Sequence, residues 1–361
     1  MPRVAISLVT WNGLKYLPQC FNSILSQTYQ DWSLCVLDNG STDGSAKYIR
    51  ELDLTKRLQK DRLEIIYQPS NLGFASAHNL VVNSTSSDYV LVLNQDVILD
   101  PNFLKIIVNF LDNHPNVGGV TGKILKWAFT SDADNEYLRD DSLTDIIDST
   151  GLRIFKNHRV IESGVGEQDS GQYDSDREVF GIPATCAVYR RSALDAVRLP
   201  RVDTVSKKSK NIVWSNSYEY FDENFFSYKE DIDLSYRMRL LGLEFWYLKD
   251  ARAYHDRTAK SIADLSDSAV VRHRYTKSPF INYHSYKNHL FILIKNVTPR
   301  VLLRYGVFIK WYEFKKFIWL LLNERATLVG LKEVFKNLHS MAQKRKFIMS
   351  RRKCEIVKWL E

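Results

Sequence analysis

The stretch YVLVLNQDVILDP, residues 89–101, carries the reading of the fold. A run of strand character stops at Asn94, Gln95 and Asp96, then turns apolar again before Pro101. Asp and Asn are ordinary turn residues, because their side chains hydrogen-bond nearby backbone groups. A turn alone would explain this acid. The neighbouring segments decide whether it does more.

Working outward, VAISLV (4–9) reads as a buried strand, and Leu14, Leu17, Phe21, Ile24 and Leu25 recur at helical spacing. A strand at 33–37, a helix from Ser45 to Leu52 and a strand at 63–67 follow. Next come a helix at 75–84, the strand 89–93 and a helix opened by Pro101. Such alternation predicts an α/β protein, a Rossmann-like, mostly parallel sheet with helices on both faces. Ligands of open parallel sheets bind beyond the carboxyl ends of the strands. Here those ends are polar in turn: Thr10 and Asn12, Asp38 and Asn39, Gln68 and Asn71, Asn94 and Asp96. Four polar ends in one sheet predict a binding crevice.

At 361 residues the chain has room for two domains, or for one large one with an appendage. Its four cysteines, Cys20, Cys35, Cys186 and Cys354, show no metal or disulfide spacing, so a reducing compartment is expected. MPRVAISLVTWNG does not read as a signal peptide, and the apolar run FIWLLL (317–322) is far too short to span a membrane. Residues 296–361 hold 15 Lys/Arg against 5 Asp/Glu, a balance of +10, whereas the preceding 295 hold 35 against 37. The front part thus has the balance of an ordinary enzyme, and the basic tail suits an anionic partner. No glycine-rich phosphate loop follows the first strand, and GKI at 122–124 lacks the rest of a P-loop. If a nucleotide binds, Asp96 with a divalent cation is the natural means of neutralising its phosphates.

VTWNGLKYLPQCFNSILSQTYQDWSLCVLDNGSTDGS, NLGFASAHN and VLVLNQDVIL together resemble the nucleotide-binding half of the inverting family 2 glycosyltransferases with the GT-A fold. VFGIPATCAVYRRSAL (179–194), YFDENFFSYKEDIDLSYRMRLLG (220–242) and YHDRTAKS (254–261) resemble the second half of the rhamnosyltransferase-like branch. The likeness covers residues 3–295 in consistent order. It implies one catalytic domain over 1–295, with a nucleotide-sugar half at 1–125 and an acceptor half at 126–295.

The resemblance also implies roles. Thr10, Asn12, Asp38 and Asn39 lie where the family holds the nucleotide, and Asn71 and Gly73 where a loop meets the sugar diphosphate. Asp96 falls on the metal-binding carboxylate, with Asn94 in place of the motif's first acid and His255 as a further metal ligand. The cofactor implied is Mg²⁺ or Mn²⁺. From the residues alone, Glu230 and Asp231 open a helical pattern and would serve as caps. The family places its catalytic ED motif there: Asp231 as general base, Glu230 as an acceptor-positioning or metal-side residue. The chemistry agrees, since a diphosphate leaving group needs a cation and the acceptor hydroxyl needs one base. Gln95 departs from the family's usual Pro, and His78 could contact the donor or simply pack.

The donor favoured by this branch is dTDP-rhamnose, the acceptor a glycan or lipid-linked sugar in bacterial surface polysaccharide synthesis. UDP-hexose or UDP-GlcNAc transfer, an inactive sugar-nucleotide-binding homologue and a nucleotidyltransferase are the rivals. The last lacks its triphosphate loop. In 301–322, Trp311, Tyr312, Phe314, Phe317 and Trp319 alternate with Lys310, Lys315 and Lys316. That pattern suits a helix at an anionic membrane surface, or a helical pair packed on the domain. Charge alone would also suit nucleic acid, but no such motif accompanies it, and none is expected to bind. The location expected is cytoplasmic, peripheral at the inner face of the cell membrane.

Overall fold

A computed structural model describes residues 2–52, 58, 60–128, 142–202, 217–257 and 266–361. The insertion expected at 201–217 and the end of YHDRTAKS lie largely outside the described residues.

Strands β1 (Val4–Thr10), β2 (Trp32–Asp38), β3 (Leu63–Tyr67) and β4 (Tyr89–Asn94) pair in parallel, in the order β4-β1-β2-β3. Helices α1 (Leu17–Leu25), α2 (Ser45–Glu51) and α3 (Phe74–Ser84) connect them. All four polar strand ends therefore point the same way. Alternate residues of β4 supply two cores, as a pleated strand buried on both faces must. Leu91 and Leu93 pack with Leu17, Phe21 and Ile24 of α1. Val90 and Val92 pack on the other face with Ala75 and Val82 of α3.

The 89–101 stretch does not continue as one strand. After the turn at Gln95 and Asp96, β5 (Val97–Leu99) leaves β4 and α4 (Phe103–Asn113) follows. Pro101 does not open α4 as expected. The Asp100 carboxylate accepts from the Asn102 N–H at 2.9 Å, building a turn that delays the helix to Phe103.

The remaining strands are β6 (Val117–Trp127), β7 (Leu143–Ser149), β8 (Leu152–Ile154), β9 (Val160–Glu162), β10 (Arg177–Glu178), β11 (Cys186–Arg190), β12 (Leu199–Pro200), β13 (Tyr218–Glu219) and β14 (Glu244–His255). The main sheet runs β10-β14-β6-β11-β4-β1-β2-β3, with β5 on β14 and β7 on β6. It is the mostly parallel sheet expected, mixed by β11, antiparallel to both neighbours, and by β5, β7 and β10, which also pair antiparallel. Helix α5 (Arg191–Val197) follows β11, and α6 (Glu230–Leu240) precedes β14.

Among the described residues, five helices form a further layer: α7 (Asp267–Tyr275), α8 (Pro279–Asn296), α9 (Pro299–Asn323), α10 (Gly330–Lys336) and α11 (Leu338–Arg351). Helix α6 is buried between this layer and the sheet. Its Leu234 and Met238 face the sheet core. Ile232, Tyr236 and Leu240, at i+4 spacing, join Phe291, Val301, Met341 and Ile348 of the helical layer. The boundary expected at 295 thus does not interrupt the core. Buried charges join the parts as well: Lys344 reaches Glu219 at 2.5 Å and Asp222 at 2.7 Å, while Lys295 reaches Asp233 at 2.9 Å and also Asp222.

Candidate active site

A cleft of about 590 Å³ opens above the polar strand ends. Its lining includes Asn39, Asn71, Asn94, Asp96, Glu230, Asp231 and His255, seven of the eleven residues singled out from the sequence. Thr10, Asn12, Asp38 and Gly73 do not line it, and each has a visible local task.

At the sheet end, Thr10 is buried and donates to Gln95 Oε1 at 2.5 Å; the same oxygen accepts from the Trp11 N–H at 2.9 Å. Gln95, which departs from the family pattern, thereby clamps the end of β1 to the turn after β4. Asn12 is exposed at φ 51°, and its Oδ1 accepts from the Thr42 N–H at 2.8 Å, tying two loops together. Asn39 braces the next loop, with Oδ1 accepting from Leu72 N–H at 2.9 Å and Nδ2 donating to Asn71 at 3.1 Å. Gly73 holds φ +80°, and a Cβ there would lie 2.5 Å from the Phe226 carbonyl. Only glycine fits that approach. Asp38 is buried and holds the loop after β2, its Oδ2 accepting from the Ser41 N–H at 3.3 Å, while its Oδ1 has no hydrogen-bond partner among the described residues. Trp11, which the sequence reading passed over, is half exposed on the cleft wall and offers a flat face for stacking. His78 packs, as the simpler expectation had it: it is buried against Ser7 at 2.8 Å, and burial lowers its pKa to about 3.

Asp96 and His255 meet because β5 pairs antiparallel with β14, placing Val97 opposite His255. His255 Nε2 lies 3.5 Å from Asp96 Oδ2, and Nδ1 lies 2.9 Å from Asp148 Oδ2. Burial opposes charge on this imidazole, yet Asp96 and Asp148 outweigh it and push the pKa up to about 9. The donor set fits a divalent cation. A carboxylate fixes one ring nitrogen and leaves the other toward Asp96, the usual support of a metal-binding histidine. Asp96 Oδ1 is buried with no hydrogen-bond partner among the described residues. No group of three or more His, Cys, Asp or Glu suited to a metal occurs among the described residues. Asp96 and His255 would hold a cation together with ligand oxygens, exchanging the imidazole proton for the metal.

Glu230 and Asp231 stand at the start of α6, behind a loop in which Phe226, Tyr228 and Lys229 all have φ between 66° and 71°. Non-glycine residues in this region store strain that the surroundings must hold. Asn288 of α8 does so, its Nδ2 donating to the carbonyls of Phe225, Ser227 and Tyr228 at 3.0, 2.8 and 2.7 Å. Asp231 accepts from the Ile232 N–H at 2.7 Å and the Ala184 N–H at 3.3 Å. Burial raises its pKa and those backbone bonds oppose the rise. Glu230 is raised much further, by burial and then by the Asp231 charge, and its Oε2 has no partner among the described residues. The two neighbouring carboxyls thus differ in how strongly their surroundings oppose ionisation, Glu230 more than Asp231.

The Glycosyl transferase family 2 model matches residues 6–198, more than half of the chain. The chain belongs to that family. An uncharacterized glycosyltransferase of Haemophilus influenzae is 34% identical over 116 residues, covering 32% of this chain and 44% of the relative. The chondroitin synthase of Escherichia coli is 30% identical over 109 residues, 30% of this chain and 15% of the relative. The matched stretch thus spans less than half the length of these curated relatives. GalNAc-T7, solved with UDP, GalNAc and Mn²⁺, superposes with a TM-score of 0.53 at 10% identity, over 81% of this chain and 47% of that one. S. aureus TarS in complex with UDP-GlcNAc gives 0.50 at 14% identity, over 97% and 89%. At such identities the likeness carries the fold alone.

For a family 2 member, three parts of this site had no clear signal in sequence. Asp148 orients His255 from 107 residues away. Arg257 bridges that carboxylate at 3.2 Å to Glu162 at 2.8 Å. Asn288 braces the acid pair from a helix that the sequence reading left without a role.

Proposed function

We propose that the chain is an inverting glycosyltransferase that moves a sugar from a nucleoside-diphosphate donor to an acceptor hydroxyl, with Asp231 as the base. The observation that carries this reading is one cleft lined by polar strand ends, a cation-suited Asp96–His255 pair and a half-buried Asp231 whose carboxyl accepts two backbone N–H bonds. The acceptor oxygen attacks the anomeric carbon as the bond from that carbon to the diphosphate breaks. The electron pair leaves with the nucleoside diphosphate, and the hydroxyl proton passes to Asp231. Glu230, kept neutral, donates a hydrogen bond to the acceptor or the sugar. Asn39 and Asn71 orient the nucleotide, and the base stacks on Trp11. A divalent cation held by Asp96 and His255 would supply charge neutralisation for the leaving diphosphate.

The motif resemblance favours dTDP-rhamnose as donor. UDP-sugars are the second reading, favoured by the fold shared with GalNAc-T7 and TarS, whose structures hold UDP or UDP-GlcNAc. The test is nucleotide release from a donor panel with Mg²⁺, Mn²⁺ or EDTA. Release that is equal in EDTA would sink the cation assignment, and an Asp96→Asn variant with wild-type release would sink it independently.

The acceptor class is a glycan or a lipid-linked sugar, at an anionic membrane surface. No helix among the described residues is long and apolar enough to cross a membrane. Helix α9 nonetheless exposes Leu303, Val307, Phe308, Trp311 and Phe314 beside exposed Arg304, Lys310 and Lys315. Apolar and aromatic side chains interleaved with cations suit an interface rich in anionic lipid. Trp311→Glu with Phe314→Glu should release the protein from anionic vesicles in co-sedimentation. Unchanged binding would show that this face does not meet lipid.

A further inference from the structure

The cleft carries an excess of basic side chains, half of them from the helical layer. Of the charged residues lining the whole cleft, six are Lys or Arg (Arg159, Lys229, Arg257, Arg274, Lys277, Lys316) and four are acids. Some of these cations are already committed. Arg257 pairs with Glu162 and Asp148, and Arg274 pairs with Glu324 at 3.0 Å. Lys316 has Glu313 at 3.7 Å on its own helix and lies over the rings of Tyr286 and Tyr312. Lys229 and Lys277 are different: each is half-buried, and neither has a side-chain hydrogen bond or an ion pair among the described residues.

We infer that Lys229, Lys277 and Lys316 form a phosphate-binding subsite for the acceptor, so that the sugar is delivered to a phosphate-bearing molecule. This rests on the glycosyltransferase reading and names its substrate class. Like charges gathered in a partly dry cleft repel one another, and a bound dianion reverses the sign of that energy. The repulsion is visible in the groups themselves. Burial and then Lys316 lower the Lys229 pKa to about 7, and burial followed by Arg257 and Arg274 lowers Lys277 to about 8.

Placement assigns the subsite to the acceptor and not to the donor diphosphate. Lys229 directly precedes Glu230 and Asp231, the pair that receives the acceptor hydroxyl. The charged groups acting most on Lys229 are Lys316, Glu313, Lys277 and Asp231. Those acting most on Lys277 are Arg257, Arg274, Glu162 and Arg159. Asp96 and His255 stand instead at the strand side of the cleft, just before β5 and at the end of β14. The three lysines come from the α6 start, the loop before α8, and α9, and all line the cleft with the acid pair.

The experiment uses the full chain saturated with UDP or dTDP and Mg²⁺, titrated calorimetrically with three probes. They are geranylgeranyl diphosphate in neutral detergent, diglycerol phosphate as a soluble phosphodiester, and octyl glucoside as a neutral control. At least one phosphate probe should bind, and Lys229→Gln/Lys277→Gln should weaken it by at least about tenfold, as loss of charge-assisted bonds requires. Single Lys277→Gln gives a smaller loss, and Lys277→Arg restores binding; melting temperatures confirm that each variant is folded. Binding of the lipid diphosphate alone identifies a lipid carrier, and binding of the phosphodiester alone identifies a phosphate-containing polymer. Both results support the subsite. Retained nucleotide binding with no response to either phosphate probe would overturn this inference alone. A variant that loses nucleotide affinity as strongly as probe affinity would also overturn it, moving the lysines to the donor. Absence of any nucleotide binding by the wild type would sink the transferase reading and this one with it.

Discussion

Replacing Asp231 by Asn separates a proton acceptor from a helix-start residue, because the two roles differ in magnitude. The substitution keeps the side-chain oxygen that accepts from Ile232 N–H at 2.7 Å. It sets an amide nitrogen against the Ala184 N–H, losing a 3.3 Å hydrogen bond worth about 0.5–1.5 kcal/mol at most. Removing a half-buried charge beside Glu230 offsets part of that loss, so the melting temperature should move little. Loss of a general base, by contrast, slows transfer by about 10²–10⁴, or roughly 2.7–5.4 kcal/mol at 1.36 kcal/mol per tenfold. The kinetic effect thus exceeds the structural one by a wide margin. Wild-type turnover carries a second signature. A base works only when deprotonated, and the Asp231 pKa is raised, so activity falls as pH drops through a midpoint above the ordinary 3.8. Donor affinity by calorimetry, melting temperature and transfer rate should be read on one preparation. An Asn variant within a few-fold of wild-type transfer refutes the assignment, as does an acidic limb at or below 3.8.

Glu230→Gln should lower transfer yet raise the melting temperature at neutral pH. Burial and the Asp231 charge raise this carboxyl's pKa in the folded state above that of the unfolded chain, so its penalty grows as pH rises above 4.5; a melting-temperature difference independent of pH would contradict this. Lys344→Met leaves Asp222 and Glu219 buried with one cation fewer and should cost about 3–5 kcal/mol, read by denaturant unfolding; a loss under 1 kcal/mol, roughly the worth of a surface pair, would show that the cluster is not structural. Asn288→Ala should reduce kcat more than donor affinity, because it frees the strained loop before the acid pair; equal losses in both would point to general unfolding.

Much of this was legible locally. Strand–helix alternation over the first hundred residues set the parallel sheet, and parity along β4 explains why its run is continuously apolar. The acids opening α6 were visible because Leu234, Met238 and Leu241 follow at helical spacing. What local pattern does not contain is long-range pairing. The β5–β14 ladder joins Asp96 to His255, and no feature of VIL at 97–99 announces its partner. Asn12 looked like part of the rim but turns away at φ 51° to tie two loops. Charge counting met a related limit. Lys344, part of the +10 tail, is buried in internal ion pairs and contributes nothing to an anionic partner. Composition sums charges without saying which ones reach the surface.

Helix α9 links the proposed membrane face to the proposed acceptor subsite by geometry alone. Leu303, Val307, Trp311 and Phe314 recur at intervals of three and four and lie exposed along one side, with Leu303 91% exposed. Tyr312 and Lys316, also four apart, line the cleft. One helix separates the two, and a helix with its side chains is only about 10–12 Å across. A bilayer touching the outer face would therefore bring the acceptor wall to within roughly that distance of the lipid headgroups. A phosphate anchored in the headgroup region could reach Lys316 and Lys277 without leaving the membrane, while its attached sugar extends toward Asp231. The outer apolar stripe, the cleft lysines and the base then form one path from lipid to sugar. The vesicle and phosphate-probe measurements are coupled by this geometry. A lipid diphosphate that binds through the lysines should bind more weakly to the soluble Trp311→Glu/Phe314→Glu protein on vesicles, yet equally well in detergent.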